Sequence, residues 1–163
     1  MKFNQNGDTL WTKILGGKKY DKMMDIIQDG NNFLLGGYSN SFGSVSNNDI
    51  LLIYTDSSGI PVWAISFEAN GEDIPHSIKK SPDGGFIIIG NTTSFGAGMK
   101  DIFCLKTDRM GNLLWLKSFG GADDENADDA TGVINESKNI YITGYTKSLS
   151  GAQDLWIIKL DSV

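Results

Sequence analysis

Short apolar runs and polar, glycine-rich turns alternate along the whole chain. The apolar runs, such as residues 50–54 and 86–89, have the length of β-strands, and the turns between them are rich in Asp, Asn, Ser and Gly. No segment of helical length has apolar residues spaced by three, four and seven over three turns. The pattern therefore predicts an all-β protein built from short strands.

One segment of this pattern occurs three times, and each copy has a Gly four residues before a Trp. The copies are spaced by 52 residues, and the spacing divides the chain into repeats at approximately residues 5–56, 57–108 and 109–161. The Trp of each copy lies in an apolar strand, where a large ring fills the space between packed sheets. These framework residues are Trp11, Trp63 and Trp115.

Each repeat contains four predicted strands. Four short antiparallel strands about every 50 residues are typical of one blade of a β-propeller, a sheet that buries its two faces by stacking on its neighbours. We therefore predict a single β-propeller domain over residues 1–163, with three four-stranded antiparallel blades. The predicted strands are residues 9–15, 22–28, 33–37 and 50–55; 62–67, 74–80, 85–91 and 101–107; and 113–119, about 130–135, 139–145 and 154–160.

A recurring loop and turn accompany these strands. Residues 144–148 read Gly-Tyr-Thr-Lys-Ser, an apolar strand begins at Asp154 and ends Lys-Leu-Asp, and residues 111–121 begin with Gly and contain Trp115. A second copy of the loop reads Asn-Thr-Thr-Ser-Phe-Gly at residues 91–96. In these features the chain resembles a family of bacterial β-propeller repeats. The resemblance covers nearly the whole chain and implies the propeller fold, but such propellers have many roles.

Three blades are too few to close a ring, because propellers have about 4 to 8 blades. Residues 159–161 are equivalent to residues 2–4, so the first Trp strand lacks three strands of its blade and the last blade lacks its Trp strand. We expect two chains to form a six-bladed homodimer in which each N-terminal strand completes the last blade of its partner. The alternatives are a fragment of a longer propeller or an open monomer.

Composition and charge exclude several classes of partner. The 163 residues carry a net charge of −6, which argues against nucleic acid and against an anionic membrane surface. One Cys cannot form an intramolecular disulfide, and the first six residues have no apolar region of a signal peptide. As given, the chain is expected to be soluble and cytoplasmic, or extracellular if it is cut from a longer exported parent.

Candidate binding residues lie in the longer loops, which a propeller places together on one face. Asp21, Asp73 and Asp128 occupy equivalent positions near the predicted mouth of the central channel. A ring of carboxylates suits a cation such as calcium, or a cationic or hydroxyl-rich ligand. The alternative, which we favour, is that each Asp caps its own loop by accepting backbone N–H bonds. The acidic loop 120–129 lacks the spacing of a known calcium site, so no cofactor is predicted.

His76 is the only histidine, and it lies on an inner strand where Met24 and Thr131 are its equivalents. One histidine in the chain rules out a metal site with several histidines. We expect His76 to face the channel or to pack, and Cys104 to be a small buried apolar residue. Because Trp11 and its two equivalents recur at the framework period, we interpret them as packing residues and not as sugar platforms.

These observations favour a non-enzymatic propeller that binds another molecule on its loop face or in its channel, or that serves as an assembly module. A carbohydrate-binding, lectin-like propeller is the first alternative, and Tyr20, Phe42 and Phe95 are its candidate loop aromatics. A lyase or hydrolase is the second, and His76 with the acid ring would have to supply its chemistry. The expected partners are a second copy of the chain and a protein or glycan ligand.

Overall fold

A computed structural model describes residues 1–42, 47–122, 132–134, 139–147 and 151–161. These residues form β-strands joined by turns and loops, and none of them lies in a helix. The prediction of an all-β protein with four-stranded antiparallel sheets is therefore confirmed.

The strands form a two-stranded hairpin and three antiparallel sheets, each built from strands that are consecutive in the chain. We call these the N-terminal hairpin and the first, second and third sheets. Their strands are β1 (Lys2–Phe3) and β2 (Thr9–Trp11) in the hairpin; β3 (Asp21–Asp29), β4 (Asn32–Ser39), β5 (Asp49–Thr55) and β6 (Pro61–Phe67) in the first sheet; β7 (Asp73–Lys80), β8 (Phe86–Thr92), β9 (Asp101–Thr107) and β10 (Leu113–Phe119) in the second; and β11 (Gly132–Ile134), β12 (Ile140–Thr146) and β13 (Asp154–Leu160) in the third.

Most strands begin and end within a residue or two of their predicted bounds, but the first Trp strand does not. It was expected over residues 9–15, and β2 covers only Thr9–Trp11. In the first and second sheets the equivalent strands β6 and β10 each pair with a seven-residue strand. The partner of β2 is β1, which has two residues, so residues 12–15 have no strand to pair with in the described part of the chain.

Apolar faces of adjacent sheets form the core. Leu34, Ile50 and Leu52 of the first sheet pack with Ile78 and Phe103 of the second sheet in one buried cluster. A second cluster joins the other face of the second sheet to the third sheet. It contains Ile87, Ile89, Ile102, Cys104, Ile140, Ile142 and Ile158. The second sheet is thus covered on both faces, and every residue of its two central strands, β8 and β9, is buried.

The same turn leads into each Trp strand. Asp56 accepts the backbone N–H groups of Ser58 and Ile60 at 2.8 and 2.9 Å, and the chain then reverses through Gly59 with a φ of 74°. Asp108 and Gly111 repeat this turn before Trp115. Because the positive φ favours glycine at this position, the glycine of each sequence repeat is explained by the turn.

Polar contacts link the first sheet to the second at the end where the β3–β4 and β9–β10 turns lie. Asp29, which is buried, accepts a hydrogen bond from the Tyr54 hydroxyl at 2.7 Å, and the Arg109 guanidinium lies 3.1 Å from the same carboxylate. Lys80 of the second sheet also pairs with Asp29. The hydrogen bond from Lys80 is the main reason why the pKa of Asp29 is lowered, and it outweighs burial. This carboxylate therefore stays ionised and links the two sheets.

Candidate functional site

Asp21 begins β3 and is held by the loop that follows β4. Its carboxylate accepts hydrogen bonds from the hydroxyls of Ser39 and Ser41, the latter at 2.8 Å, and from the backbone N–H of Gly17 at 2.8 Å. Burial works to raise the pKa of this carboxyl, but the hydrogen bonds from Ser39, Gly17 and Ser41 prevail and lower it. Asp21 therefore caps two loops as an ionised carboxylate.

Asp73 occupies the equivalent position at the start of β7 and is 1% exposed. The Ser94 hydroxyl donates to its Oδ2 at 2.7 Å and accepts the backbone N–H of Gly71 at 2.8 Å. Its Oδ1, by contrast, has no hydrogen-bond partner among the described residues. Burial raises the pKa of Asp73, against the effect of hydrogen bonds from Thr92 and Ser94. The pKa values of Asp21 and Asp73 are thus shifted in opposite directions, although the two residues occupy equivalent positions.

Asp49 is a second buried carboxylate beside Asp73, and the two are joined through the backbone. The N–H of Asp73 donates to the carbonyl of Asn48 at 2.8 Å. Asp49 accepts the N–H of Ala69 at 3.0 Å through Oδ1, whereas its Oδ2 has no hydrogen-bond partner in the described ranges. Burial raises the pKa of Asp49, and the charge of Glu72 raises the pKa of both aspartates further. The pair is thus suited to holding a proton at higher pH than an exposed carboxyl.

The third predicted acid, Asp128, lies outside the described residues, as does most of the acidic loop 120–129. The structure brings Asp73 close to Asp49, a neighbour that was not among the predicted site residues. Within the described ranges, no group of three or more His, Cys, Asp or Glu side chains is arranged to hold a metal ion. A cation at the acid ring therefore stays the weaker of the two interpretations of these aspartates.

His76 lies at a β-bulge of β7, in the register shift between Pro75 and Ser77. Nδ2 of Asn91 is 3.2 Å from Nε2 of His76, so this ring nitrogen accepts a hydrogen bond from the amide. Met24 lies at the same bulge in β3. A bulge turns one side chain out of the regular alternation of the strand. Met24 and His76 are thus equivalent because both lie at the bulge of their strand, although only one of them is a histidine.

Trp11 and Trp63 lie against the glycine turns of the next sheet. A Cβ added to Gly111 would lie 3.0 Å from the Trp63 ring, and one added to Gly59 would lie 2.6 Å from the Trp11 ring. Trp63 also stacks on Tyr54, with ring centroids 5.3 Å apart and planes inclined by 8°. The N-terminal hairpin therefore lies on the first sheet in the way that the first sheet lies on the second.

Three aromatic side chains on the loops are partly exposed. They are Tyr20, Phe42 and Phe95, which expose 56%, 42% and 38% of their surface. Tyr20 also packs against Tyr38, with ring centroids 6.0 Å apart. These rings are available to a ligand on the loop side of the sheets.

No protein-family model matches this chain, and no curated protein matches it. In the part of the chain that the structure describes, no helix is long and apolar enough to cross a membrane. The site must therefore be interpreted from its own geometry.

The opposite pKa shifts of Asp73 and Asp21 predict opposite effects of Asp-to-Asn substitution. The raised pKa of Asp73 means that the parent protein loses stability as pH rises from the unfolded-state pKa through the folded-state pKa. Asp73→Asn carries no charge, so its stability relative to the parent should improve by about 1 kcal/mol between pH 4 and pH 7. Urea unfolding at several pH values measures this difference.

Asp21→Asn is the matched control for this experiment. The lowered pKa of Asp21 stabilises the parent above the unfolded-state pKa, and this stability is lost as pH falls through the folded-state pKa. The stability of Asp21→Asn relative to the parent should therefore worsen as pH rises. If both variants changed in the same direction with pH, the assignment of a buried, proton-holding carboxyl to Asp73 would be wrong.

Proposed function

We propose that this chain is half of a six-bladed β-propeller and acts as a non-enzymatic binding or assembly module. Two copies close the ring, and the loop face or the central channel of the ring binds a further molecule. Support comes from one observation: the two outer faces of the stacked sheets are equivalent to faces that are packed together inside the chain.

The outer face of the first sheet matches the face of the second sheet that is buried in the core. Ile78 of the second sheet is fully buried against the first sheet, whereas its equivalent Ile26 is 57% exposed. Phe86 and Ile88 are also fully buried, and their equivalents Phe33 and Leu35 line an open cavity of about 290 Å³ between this face and the N-terminal hairpin. The hairpin therefore covers this face incompletely.

The outer face of the third sheet is exposed to a greater extent. Leu155 and Ile157 expose 80% and 60% of their surface, whereas Leu52 and Cys104, the equivalents of Ile157, are fully buried. In the first and second sheets this position faces the next sheet. Leu155 and Ile157 therefore lack a neighbouring sheet with a face like the one on which Ile78 lies. The first sheet of another copy carries such a face.

The contacts of the residues that a lyase or hydrolase would have to use support binding or assembly over catalysis. The carboxylate of Asp21 accepts hydrogen bonds from two loops, and His76 accepts a hydrogen bond from Asn91. The recurring Trp and Gly residues have packing and turn roles. A lyase or hydrolase would require groups beyond these.

The assembly is tested by size-exclusion chromatography with light scattering at micromolar concentration. We expect a particle of about twice the 17.8 kDa chain mass. A monodisperse monomer would contradict the proposal, and so would an unlimited series of larger species, because a closed ring has no free faces.

A carbohydrate-binding propeller is the second candidate, supported by the exposed rings of Tyr20, Phe42 and Phe95. Aromatic rings on a rigid loop face offer apolar contact to a sugar at low entropic cost. Binding on a glycan array that is lost in Tyr20→Ala, with the dimer intact, would favour this candidate. If the parent dimer bound no glycan, the assembly role would remain.

A further inference from the structure

We infer that the N-terminal strand is exchanged between two copies of the chain: residues 9–15 of one copy pair along β13 of the other, and β1 is displaced. This inference rests on the proposed ring and on the expected exchange of the N-terminal strand, and it adds the register of that strand and the contact that must open. The evidence lies in β13, in residues 12–15 and in β1.

The edge of β13 is open as far as the described residues go. The equivalent strands pair on both sides: β5 lies between β4 and β6, and β9 lies between β8 and β10. Within the described residues, β13 pairs with β12 alone, over all seven of its residues. An apolar strand with a free edge binds another strand, because its backbone N–H and C=O groups need partners. The missing strand corresponds to β6 and β10.

Residues 12–15 have the sequence of such a strand but pair with none of the strands that the structure describes. They follow Trp11 as residues 64–67 follow Trp63 in β6, and as residues 116–119 follow Trp115 in β10. Among residues 12–15, Ile14 is completely exposed. A seven-residue partner would extend β2 through Leu15 and give these residues the pairing that β6 and β10 have.

β1 occupies the position of a longer strand. Lys2 pairs with Trp11 as Tyr54 pairs with Trp63 in the first sheet, and Lys106 pairs with Trp115 in the second. By the same register, the residue that belongs opposite Trp11 is Lys159, near the end of β13. β1 covers only two residues and has a register shift, so exchange replaces a short, irregular pairing by a full strand pair.

The registers of the first and second sheets specify which residues meet across the exchanged strands. Leu52 pairs with Ile65 in one sheet and Cys104 with Lys117 in the other, which places Lys13 of one copy opposite Ile157 of the second copy. Leu155 is on the same side of β13, two residues further along. Lys13 and Leu155 therefore serve as the control pair, because these two residues should not lie directly opposite each other.

Disulfide cross-linking tests this register. Lys13→Cys combined with Ile157→Cys should form a covalent dimer on mild oxidation, at least fivefold more than Lys13→Cys combined with Leu155→Cys. The natural thiol will not compete, because Cys104 is fully buried and burial raises its pKa to about 12. Non-reducing gel electrophoresis separates the covalent dimer from the monomer.

The outcomes separate the exchange from the ring. A dimer in light scattering with selective cross-linking supports both. A dimer without cross-linking, or with equal cross-linking of the two pairs, overturns the exchange and leaves the ring intact. A monomer overturns both.

Removal of residues 1–3 is a second test that needs no disulfide. Because β1 competes for the edge of β2, its removal should tighten the dimer, by up to about a hundredfold if about two backbone hydrogen bonds in each of the two copies no longer have to break. A dimer that is weakened by this deletion would show that β1 supports the assembly, and the displacement would be wrong.

Discussion

Ile157→Asp should convert a dimer of this chain into monomers without unfolding it. Ile157 is largely exposed in the single chain, so the carboxylate is solvated there and the fold tolerates it. In the proposed ring the same side chain lies in an apolar contact, where burying a carboxylate costs about 3 kcal/mol even opposite Lys13 of the other copy, because the desolvation of both charges exceeds their attraction. The ring contains two such contacts, so the dissociation constant should rise by about four orders of magnitude.

Val62→Asp is the matched control. Val62 and Ile157 expose the same fraction of their surface, 60%. The equivalent of Val62 in the second sheet is Leu114, which stays 54% exposed although that sheet is covered on both faces. The position is therefore not used in sheet stacking, and Val62→Asp should remain dimeric.

Light scattering and sedimentation velocity measure the change, and circular dichroism shows that both variants keep their strands. If Ile157→Asp stayed dimeric at micromolar concentration, the third sheet would not contact a second copy. If both variants became monomeric, general surface charge rather than a specific face would explain the result.

The alternation of apolar runs and glycine-rich turns was sufficient to predict most of the strands. Each short strand is defined by residues close in the sequence, and the turns at Gly59 and Gly111 have local causes, namely positive φ and an Asp that caps the turn. The length of the first Trp strand was wrong because strand length also depends on the partner strand. For β2 that partner is the two-residue β1.

The sequence pattern did not predict which side chains meet between sheets. The proximity of Asp49 and Asp73 depends on how the first and second sheets stack, and the Asp29 contacts with Tyr54 and Arg109 depend on the same stacking. Tyr54 has Lys at both equivalent positions, so no repeat signal marked it. Gly37 and Gly90 lie at equivalent positions of β4 and β8, and the reason for both lies in a neighbouring strand.

Gly90→Ala should destabilise the protein by at least about 3 kcal/mol. Gly90 lies opposite the bulge of β7, and a Cβ there would be 2.1 Å from the backbone oxygen of Ile74 and 2.6 Å from the Cα of Pro75. Backbone atoms cannot rotate away as a side chain can, so the two strands would have to separate. Gly37 faces the bulge of β3 in the same way, with Lys22 oxygen at 2.0 Å.

Gly30→Ala separates this steric effect from the backbone preference of glycine. Gly30 has a φ of 65°, which disfavours alanine, but a Cβ at this position would have no atom within 4 Å. Its substitution should cost only about 1–2 kcal/mol. Urea unfolding of both variants measures the difference, and a cost for Gly90→Ala no greater than for Gly30→Ala would mean that the strands can separate freely at the bulge. Because the bulge also holds His76, a large cost would show that the backbone at this histidine is fixed by the close approach of two strands.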